Sequence, residues 1–363
     1  MASPTWQTVP GAGVDGGAHV WAAGRLWFFS TQSETGPFVV RSARVAGGRL
    51  SRWVTSSLAD VSGLPVYALL GDDLVFQARV RDASGFPVLQ GVKLLATGRL
   101  GAPVELGRGT PTPSSFARFQ TMRVLRLRDR VVQLVGIPRG GGLAQDVGAC
   151  CDPDGKAVDY RAFVPGHSYA ALGVDRHGRV WLAWGDPNYR GPAGMVELDP
   201  STLQPRGKPA LVAKLTFRAV TDLVCDDRCR LEMAGTWPSR KDRIWSWAAG
   251  DRAPTPIHLP GSTVNSAGTV AARDNAGRLA LAYTSSDSHG GLLLAVARGD
   301  VRGGTMRAVS SIPVPQGIGS RNRPDFLINA GGTFGPTFFA AVTVYQSGGS
   351  GGKGYVRVAI LPA

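Results

Sequence analysis

Apolar and polar residues alternate along most of this chain in short runs, each bounded by Gly, Pro, Asp or Asn. The clearest run is residues 174–184, where Val-Asp-Arg-His-Gly-Arg leads into Val-Trp-Leu-Ala-Trp. Period-two alternation after an Asp-x-x-Gly turn predicts a β-hairpin. Apolar residues nowhere recur at helical spacing through three turns, so no amphipathic helix is predicted. The pattern therefore predicts an all-β protein.

The hairpin pattern repeats along the chain. Residues 273–283 carry the same Asp-x-x-Gly-Arg turn, residues 225–235 carry Cys229 in place of the Gly, and residues 21–29 carry a shortened turn. Each interval of about 50 residues has room for four strands, which is the size of a propeller blade. The second strands of the hairpins are predicted to begin near residues 25, 73, 130, 179, 230, 278 and 337.

These units predict a single seven-bladed β-propeller with four-stranded blades, and six or eight blades are the alternatives. The last unit ends after its third strand, while residues 5–11 offer a spare strand. Pairing of the two terminal strands would close the ring and remove its sheet edges. The predicted blades span approximately residues 16–60, 61–110, 111–163, 164–213, 214–260, 261–315 and 316–363, the last together with residues 1–12.

The net charge of +14 is carried mostly by Arg and favours an anionic partner. A gene of biased base composition would give the same excess of Arg, Ala and Gly. The basic residues are scattered without a dense run, so no nucleic-acid partner is predicted. No stretch reaches the roughly 18 apolar residues of a membrane helix. The first three residues, Met-Ala-Ser, do not have the pattern of a signal peptide.

The four cysteines form two close pairs. Cys225 and Cys229 flank one hairpin turn and face each other across its neck, so a disulfide is predicted between them. For Cys150 and Cys151, a vicinal disulfide, two free thiols and metal binding are the alternatives. Two close pairs in a hairpin-rich chain favour an oxidising compartment, so the protein is expected to be secreted or extracytoplasmic.

The Asp-x-x-Gly turn that leads into a strand with Trp or Tyr resembles the blades of sialidase-like (BNR-repeat) propellers. It departs from their Asp-box, Ser-x-Asp-x-Gly-x-Thr-Trp, because the Asp-to-Gly spacing is three and the Ser and Thr are missing. Residues 166–184, GHSYAALGVDRHGRVWLAW, resemble the His-x-Tyr strand openings of BNR-type propellers that include polysaccharide lyases.

The resemblance implies that the first strand of each blade lines a central channel. The starts of these strands and the loops after the second strands would form the ligand-binding face. His167 and Tyr169 would lie at the channel mouth, on the same side of a strand because they are two residues apart. The other strand starts and loops would add His19, Tyr67, Arg118, Arg218, Asn265, Arg323, Asp325, Asp186, Tyr189, Arg190 and Asp287.

Convergence of Arg with His and Tyr predicts a site for an anion. In a polysaccharide lyase, Arg would neutralise a uronate carboxylate and so acidify the neighbouring C–H group, while His167 and Tyr169 would transfer the protons. A sialidase fits less well because Glu is scarce. A hydrolase would need two carboxylates, for which the candidates are Asp186, Asp287 and Asp325. The predicted carboxylate-binding residues are Arg118, Arg218 and Arg323.

We therefore expect a secreted, monomeric propeller that acts on an acidic polysaccharide or oligosaccharide, with β-elimination ahead of hydrolysis and with no nucleic-acid or membrane partner. The alternative is a non-catalytic propeller that binds glycan or protein. The blades differ in their channel-facing residues, which favours one central site over a repeat lectin. No cofactor is predicted, although Ca²⁺ in the channel is compatible with the pattern.

Several of the quoted residues also have structural interpretations. His167 could be a hydrogen-bonded channel residue. Asp side chains bond nearby backbone amides, so Asp175 and Asp274 are predicted to form turns. Packing between blades is predicted for Trp27, Trp181, Trp184 and Trp247.

Overall fold

A computed structural model describes most of the chain, and every regular element in the described part is a β-strand. None of the described residues belongs to a helix with the length and hydropathy needed to span a membrane. The described residues are 4–11, 18–31, 38–58, 67–83, 85, 87–108, 123–127, 130–138, 145–150, 168–185, 192–202, 204–235, 243–273, 277–315, 319–320, 323–324, 326–346 and 354–363.

The strands follow one another in short hairpins. Those of the amino-terminal half are β1 (Gln7–Val9), β2 (Ala18–Ala22), β3 (Arg25–Thr31), β4 (Phe38–Ala43), β5 (Val45–Ala46), β6 (Arg49–Leu50), β7 (Val54–Leu58), β8 (Tyr67–Leu70), β9 (Asp73–Arg81), β10 (Pro87–Leu94), β11 (Leu100–Arg108), β12 (Arg123–Leu127), β13 (Arg130–Pro138), β14 (Gln145–Cys150), β15 (Ser168–Val174) and β16 (Val180–Gly185). Those of the carboxy-terminal half are β17 (Pro192–Leu198), β18 (Ala210–Cys225), β19 (Cys229–Gly235), β20 (Arg243–Trp247), β21 (Thr255–His258), β22 (Ser262–Arg273), β23 (Leu279–Ser286), β24 (Leu292–Gly299), β25 (Gly304–Thr305), β26 (Arg307–Pro313), β27 (Gly319–Ser320), β28 (Arg323–Pro324), β29 (Phe326–Phe334), β30 (Phe338–Gln346) and β31 (Gly354–Pro362).

The described strands form six sheets of three or more strands. In each sheet the strands that follow one another along the chain pair mainly antiparallel. The strand orders are β2-β3-β4-β7 (sheet 1), β8-β9-β10-β11 (sheet 2), β12-β13-β14 (sheet 3), β15 through β21 followed by β25 (sheet 4), β22-β23-β24-β26 (sheet 5) and β29-β30-β31-β1 (sheet 6).

Sheet 4 accounts for the difference from the seven predicted units. Its central strand β18 is 16 residues long. The first part of β18 pairs with β17, and residues from Phe217 to Cys225 pair with β19. The predicted boundary between residues 213 and 214 therefore falls inside a continuous strand. As a result, the seven strands of two predicted units and β25 of the next unit form one eight-stranded sheet.

The first strands of the hairpins contact one another in chain order. Contacts join β8 to β12, β12 to β15, β15 to β18, β18 to β22, β22 to β29 and β29 to β2. An apolar cluster that includes Trp27, Phe29, Leu74 and Phe76 joins sheets 1 and 2. The amino-terminal strand β1 pairs with β31, with Gln7 opposite Val358. The predicted pairing of the two ends is therefore present, and the sheets follow one another in a closed ring.

Strand β3 contains a continuous run of apolar residues, from Leu26 to Phe29, and its packing explains why. Trp27 and Phe29 pack against sheet 2, while Leu26 and Phe28 pack against sheet 6. Successive side chains of a strand point to opposite faces, so a strand between two neighbouring sheets is buried on both faces. The predicted packing role of the tryptophans is confirmed for Trp27, which has no exposed surface.

The Asp-x-x-Gly turn of the fourth hairpin is held by one buried carboxylate. Oδ1 of Asp175 accepts hydrogen bonds from the backbone N–H groups of His177 and Arg179, both at 3.0 Å. Its Oδ2 accepts from Arg179 Nε at 2.6 Å and from Trp181 Nε1 at 3.2 Å. Gly178 has a φ of +76°, which a side chain would strain. The predicted turn role of Asp175 is therefore confirmed, whereas Asp274 lies outside the described residues.

The turn of the next hairpin is closed by the predicted disulfide between Cys225 and Cys229. Its two aspartates face arginines of the neighbouring turns. Asp227 forms an ion pair with Arg176, and Asp226 Oδ2 accepts a hydrogen bond from Arg273 Nη1 at 2.6 Å. Ion pairs thus connect three successive turns at this end of the hairpins.

Two buried arginines connect neighbouring units through hydrogen bonds that pass by way of a serine hydroxyl. Arg25 Nε donates to Ser42 Oγ at 3.1 Å, and this hydroxyl donates to the carbonyl of Gly98 in sheet 2. Arg230 Nε likewise donates to Ser246 Oγ at 2.9 Å, and that hydroxyl donates to the carbonyl of Val301. Part of the positive charge is therefore structural rather than available to an anion.

Candidate functional site

The predicted site residues with a described backbone lie near the starts of the first strands. His19 is the second residue of β2 and pairs with Phe28. Tyr67 is the first residue of β8 and pairs with Phe76. The other such residues are Tyr169 in β15, Arg218 in β18, Asn265 in β22 and Arg323 in β28, which precedes β29. The fold thus puts this set at the end of the hairpins opposite the Asp-x-x-Gly turns.

Four consecutive inner hairpins carry register shifts at this same end. In β15 the shift lies between Ser168 and Ala171, and so includes Tyr169. In β18 a shift spans Arg218, and in β22 two shifts meet at Asn265. A fourth lies in β29, while the register of β2/β3, β8/β9 and β12/β13 is regular. Bulges re-aim side chains and are common beside active sites, so this half of the ring is the strongest candidate for a ligand site.

Six of the predicted site residues lie outside the described part of the chain. They include His167, the residue predicted to act as the catalytic base or acid. The others are Arg118, Asp186, Tyr189, Arg190 and Asp325.

His19 is enclosed by its neighbours. Its ring lies 6.0 Å from that of Phe28, and its Nδ1 is buried without a hydrogen-bond partner among the described residues. Burial disfavours the charged imidazolium and lowers the pKa of His19 to about 4. The ring is therefore neutral at pH 7. In its predicted substrate-binding role it would act through a hydrogen bond rather than through charge.

Asp287 follows β23 and forms the turn before β24. Its Oδ1 accepts hydrogen bonds from the backbone N–H groups of His289 at 2.8 Å and Gly291 at 2.7 Å. These bonds hold the pKa of Asp287 below its usual value. The carboxylate is ionised at neutral pH, so it could act as a base or nucleophile but not as a general acid.

A groove with a volume of about 380 Å³ lies beside this turn. Its walls carry the hydroxyl-bearing residues Tyr283, Ser285, Ser286, Ser310 and Ser311. Thr284 in the same strand pairs with Asn265, so the groove lies at the bulged end of β22. A cavity of this size with hydroxyl groups could hold one or two sugar units.

Two tyrosines near the ends of second strands connect neighbouring units. Tyr283 donates its hydroxyl proton to the carbonyl of Pro260 at 2.8 Å, and Tyr345 donates to that of Pro315 at 2.6 Å. Burial raises the pKa of Tyr283 to about 12, so its phenol stays neutral. The aromatic residue that ends the predicted hairpin motif is thus a connecting residue in these two units.

A cationic and aromatic cluster at the same end of sheet 6 was not predicted from the sequence. The guanidinium of Arg357 lies 5.7 Å from the ring centroid of Tyr345 and 5.3 Å from that of Tyr355. The two rings are stacked, with centroids 5.1 Å apart. Tyr355 and Arg357 are two residues apart in β31, so the alternation of Tyr-Val-Arg-Val was the available signal.

The described residues contain no group of three or more His, Cys, Asp or Glu side chains that could hold a metal ion.

No protein-family model and no curated protein matches this sequence. Solved structures do match its fold. A PL25 ulvan lyase bound to -[GlcA(1-4)Rha3S]- matches with a TM-score of 0.55 and 8% identity, covering 96% of this chain and 95% of the other. The polysaccharide lyase Uly1 matches at 0.52 and 11% identity, covering 98% and 90%. The Dos1 propeller matches at 0.51 and 11% identity, covering 93% and 75%.

The fold is a β-propeller. At these identities the likeness concerns the architecture and not the activity. The propeller predicted from the repeats is confirmed, together with its similarity to propeller polysaccharide lyases. The narrower sialidase-like (BNR) assignment stays a prediction.

Proposed function

We propose that this propeller binds and cleaves an acidic polysaccharide by β-elimination, at the end of the ring where the inner hairpins are bulged. The observation that carries the proposal is the run of register shifts at Tyr169, Arg218 and Asn265. The PL25 ulvan lyase and the polysaccharide lyase Uly1 support it because this chain covers 95% and 90% of their lengths.

We propose that the ring has seven blades, with β18 shared between two of them. Seven inner hairpins support this count. Their first strands contact one another in turn from β8 through β12, β15, β18, β22 and β29 to β2, and an apolar cluster joins sheets 1 and 2. The register shift after Phe217 lies near the point where the pairing partner of β18 changes from β17 to β19. The proposed site then spans the blades that begin with β15, β18, β22 and β29.

In the proposed reaction, arginine neutralises the substrate carboxylate. Arg118, Arg218 and Arg323 are the proposed binding residues. This neutralisation acidifies the C–H group next to the carboxylate. His167 or Tyr169 then removes the proton, the glycosidic C–O bond breaks to leave a C=C bond, and the other residue of the pair protonates the leaving oxygen. The balanced result is one unsaturated uronate end and one new reducing end.

The proposed compartment is extracytoplasmic. The disulfide between Cys225 and Cys229 supports this location because such bonds persist in oxidising surroundings. A polysaccharide substrate would also be encountered outside the cell.

Incubation with ulvan, other uronic-acid polysaccharides and neutral polysaccharides tests the proposal. Ultraviolet absorbance of the unsaturated product and the release of reducing ends are followed together. Both signals should rise with a uronate polymer. Reducing ends without absorbance would contradict the lyase reaction and favour hydrolysis, with Asp186, Asp287 and Asp325 as candidate carboxylates. Saturable glycan binding with neither signal would make the propeller a recognition module.

A further inference from the structure

A groove at the outer rim of the ring lies between sheets 1 and 2. It has a volume of about 570 Å³. One wall is formed by four successive residues of β7, from Thr55 to Leu58, and the other by residues of β9, β10 and β11. We call this cavity the rim groove. It lies between outer strands, away from the inner strand starts that form the candidate site.

One wall of the rim groove is the edge of a sheet, as far as the described strands go. Strand β7 is the last strand of sheet 1 and pairs with β4 alone among the described strands. An edge strand presents N–H and C=O groups that can pair with another extended chain. Because all residues from Thr55 to Leu58 line the groove, a chain lying in it could add to this edge.

The other lining residues provide places for side chains. Leu58 is buried at the base, while Val80 on the opposite wall is 56% exposed. Ser56, Gln90 and Pro103 also line the groove, so its surface is a mixture of polar and apolar groups. The described residues that line the groove include no aromatic ring on which a sugar could stack. The chemistry therefore fits an extended peptide better than a saccharide.

One end of the groove is positively charged. Arg99 lines it and lies in the turn between β10 and β11. Nη1 of Arg25 and Nη2 of Arg44 both donate to the carbonyl of Ala96 in this turn, each at 3.4 Å. Burial, and secondly the charge of Arg44, lower the pKa of Arg25. Arg25 is buried and serves the fold, whereas Arg44 and Arg99 are exposed. Among the described residues, no salt bridge includes Arg44 or Arg99. An acidic group would therefore be attracted to this end.

We propose that the rim groove binds an acidic peptide segment in an extended conformation, as an added strand along β7. The apolar side chains of the peptide pack against Leu58 and Val80, and its carboxylates face Arg99 and Arg44. This interaction is independent of catalysis at the candidate site.

Binding of a fluorescein-labelled octapeptide of alternating glutamate and valine tests this proposal. A matched octapeptide of alternating lysine and valine is the control probe. The acidic peptide should bind saturably, and binding should weaken as the salt concentration rises from about 0.05 to about 0.3 M. Arg99→Glu should weaken binding about fivefold, because it reverses an exposed charge. Arg307→Glu, on the exposed outer strand β26 of another sheet, should leave binding unchanged.

Hydrogen exchange gives a second readout that does not depend on variants. The acidic peptide should slow amide exchange at residues 54–58, where it would add to the strand edge. Any of four results would overturn the proposal. They are no binding at about millimolar peptide, equal binding of the lysine peptide, an unchanged affinity of Arg99→Glu, and protection confined to other strands. Displacement of the bound peptide by polygalacturonate from the same residues would instead identify the groove as a polysaccharide site, and would also overturn it.

Discussion

Asp175→Asn should destabilise the protein strongly, because the carboxylate of this turn is buried. The Asp175 side chain has no exposed surface and accepts four hydrogen bonds. Asparagine keeps an oxygen for His177 and Arg179 N–H but places an NH₂ group against two donors, Arg179 Nε and Trp181 Nε1. Loss of one charge-assisted bond and one indole bond corresponds to about 3 kcal/mol of unfolding free energy.

Asp199→Asn is the matched control. Asp199 also accepts from two backbone N–H groups, those of Ser201 and Thr202, and from the guanidinium of Arg206. The Asp199 side chain is 29% exposed, so water can reach the carboxylate and replace the lost partners. Guanidinium unfolding followed by tryptophan fluorescence should give a much larger midpoint shift for Asp175→Asn than for Asp199→Asn.

The pH dependence of the same comparison provides a second check. Burial of Asp175 raises its pKa, but the hydrogen bonds from Arg179 and Trp181 outweigh this effect and leave the pKa below its usual value. Its stabilisation is therefore present above the unfolded pKa of about 4 and is lost as the pH falls through the folded value. The difference between wild type and Asp175→Asn should shrink in acid. Equal shifts for the two variants, or a difference that does not shrink in acid, would show that the Asp175 carboxylate does not stabilise this turn.

Three further predictions concern stability. Gly178→Ala should lower the free energy of unfolding by about 1 kcal/mol in thermal melts, because φ is +76° while no atom lies within 4 Å of the added Cβ. Gly331→Ala is the control and should lower it less, because the site is equally open but has no positive φ. Tyr283→Phe should lower the free energy of unfolding by about 1 kcal/mol by removing its bond to Pro260, and an unchanged denaturation midpoint would contradict this. The free energy of unfolding of the wild type should fall by up to about 3 kcal/mol between pH 6.5 and pH 4, because His19 has a pKa of about 4 when folded and about 6.5 when unfolded. His19→Leu should lose less stability over that interval. Parallel stability curves for the two proteins would count against the burial of His19.

The positions of the hairpins could be predicted from the sequence because each combines a turn with period-two alternation. The second strands begin at residues 25, 73, 130, 180, 229, 279 and 338, each within one residue of its prediction. The continuous strand β18 was missed, although residues 210–225 contain neither Gly nor Pro to interrupt a strand. The absence of a strand-breaking Gly or Pro was the signal that this segment forms one continuous strand.

The candidate site could be predicted less completely because it depends on distances between units. The enclosure of His19 arises from tertiary packing, which a single sequence does not encode locally. Asp287, by contrast, precedes the turn residues Ser-His-Gly-Gly, and the turn chemistry applied to Asp175 fits it equally. The connection from Arg25 through Ser42 to Gly98 joins residues that are up to 73 positions apart, counted from Arg25 to Gly98, and has no local signature.

We propose above that the propeller cleaves acidic polysaccharide by β-elimination at the bulged end of the ring. The most direct measurement compares the rate at which the unsaturated uronate product forms for wild type, His167→Ala and Tyr169→Phe, with matched thermal melts to establish folding. We expect product with wild type and a loss of about 10²- to 10⁴-fold in its rate of formation with each variant. Wild-type rates in both folded variants, or no unsaturated product from any uronic-acid polysaccharide with the wild type, would contradict it.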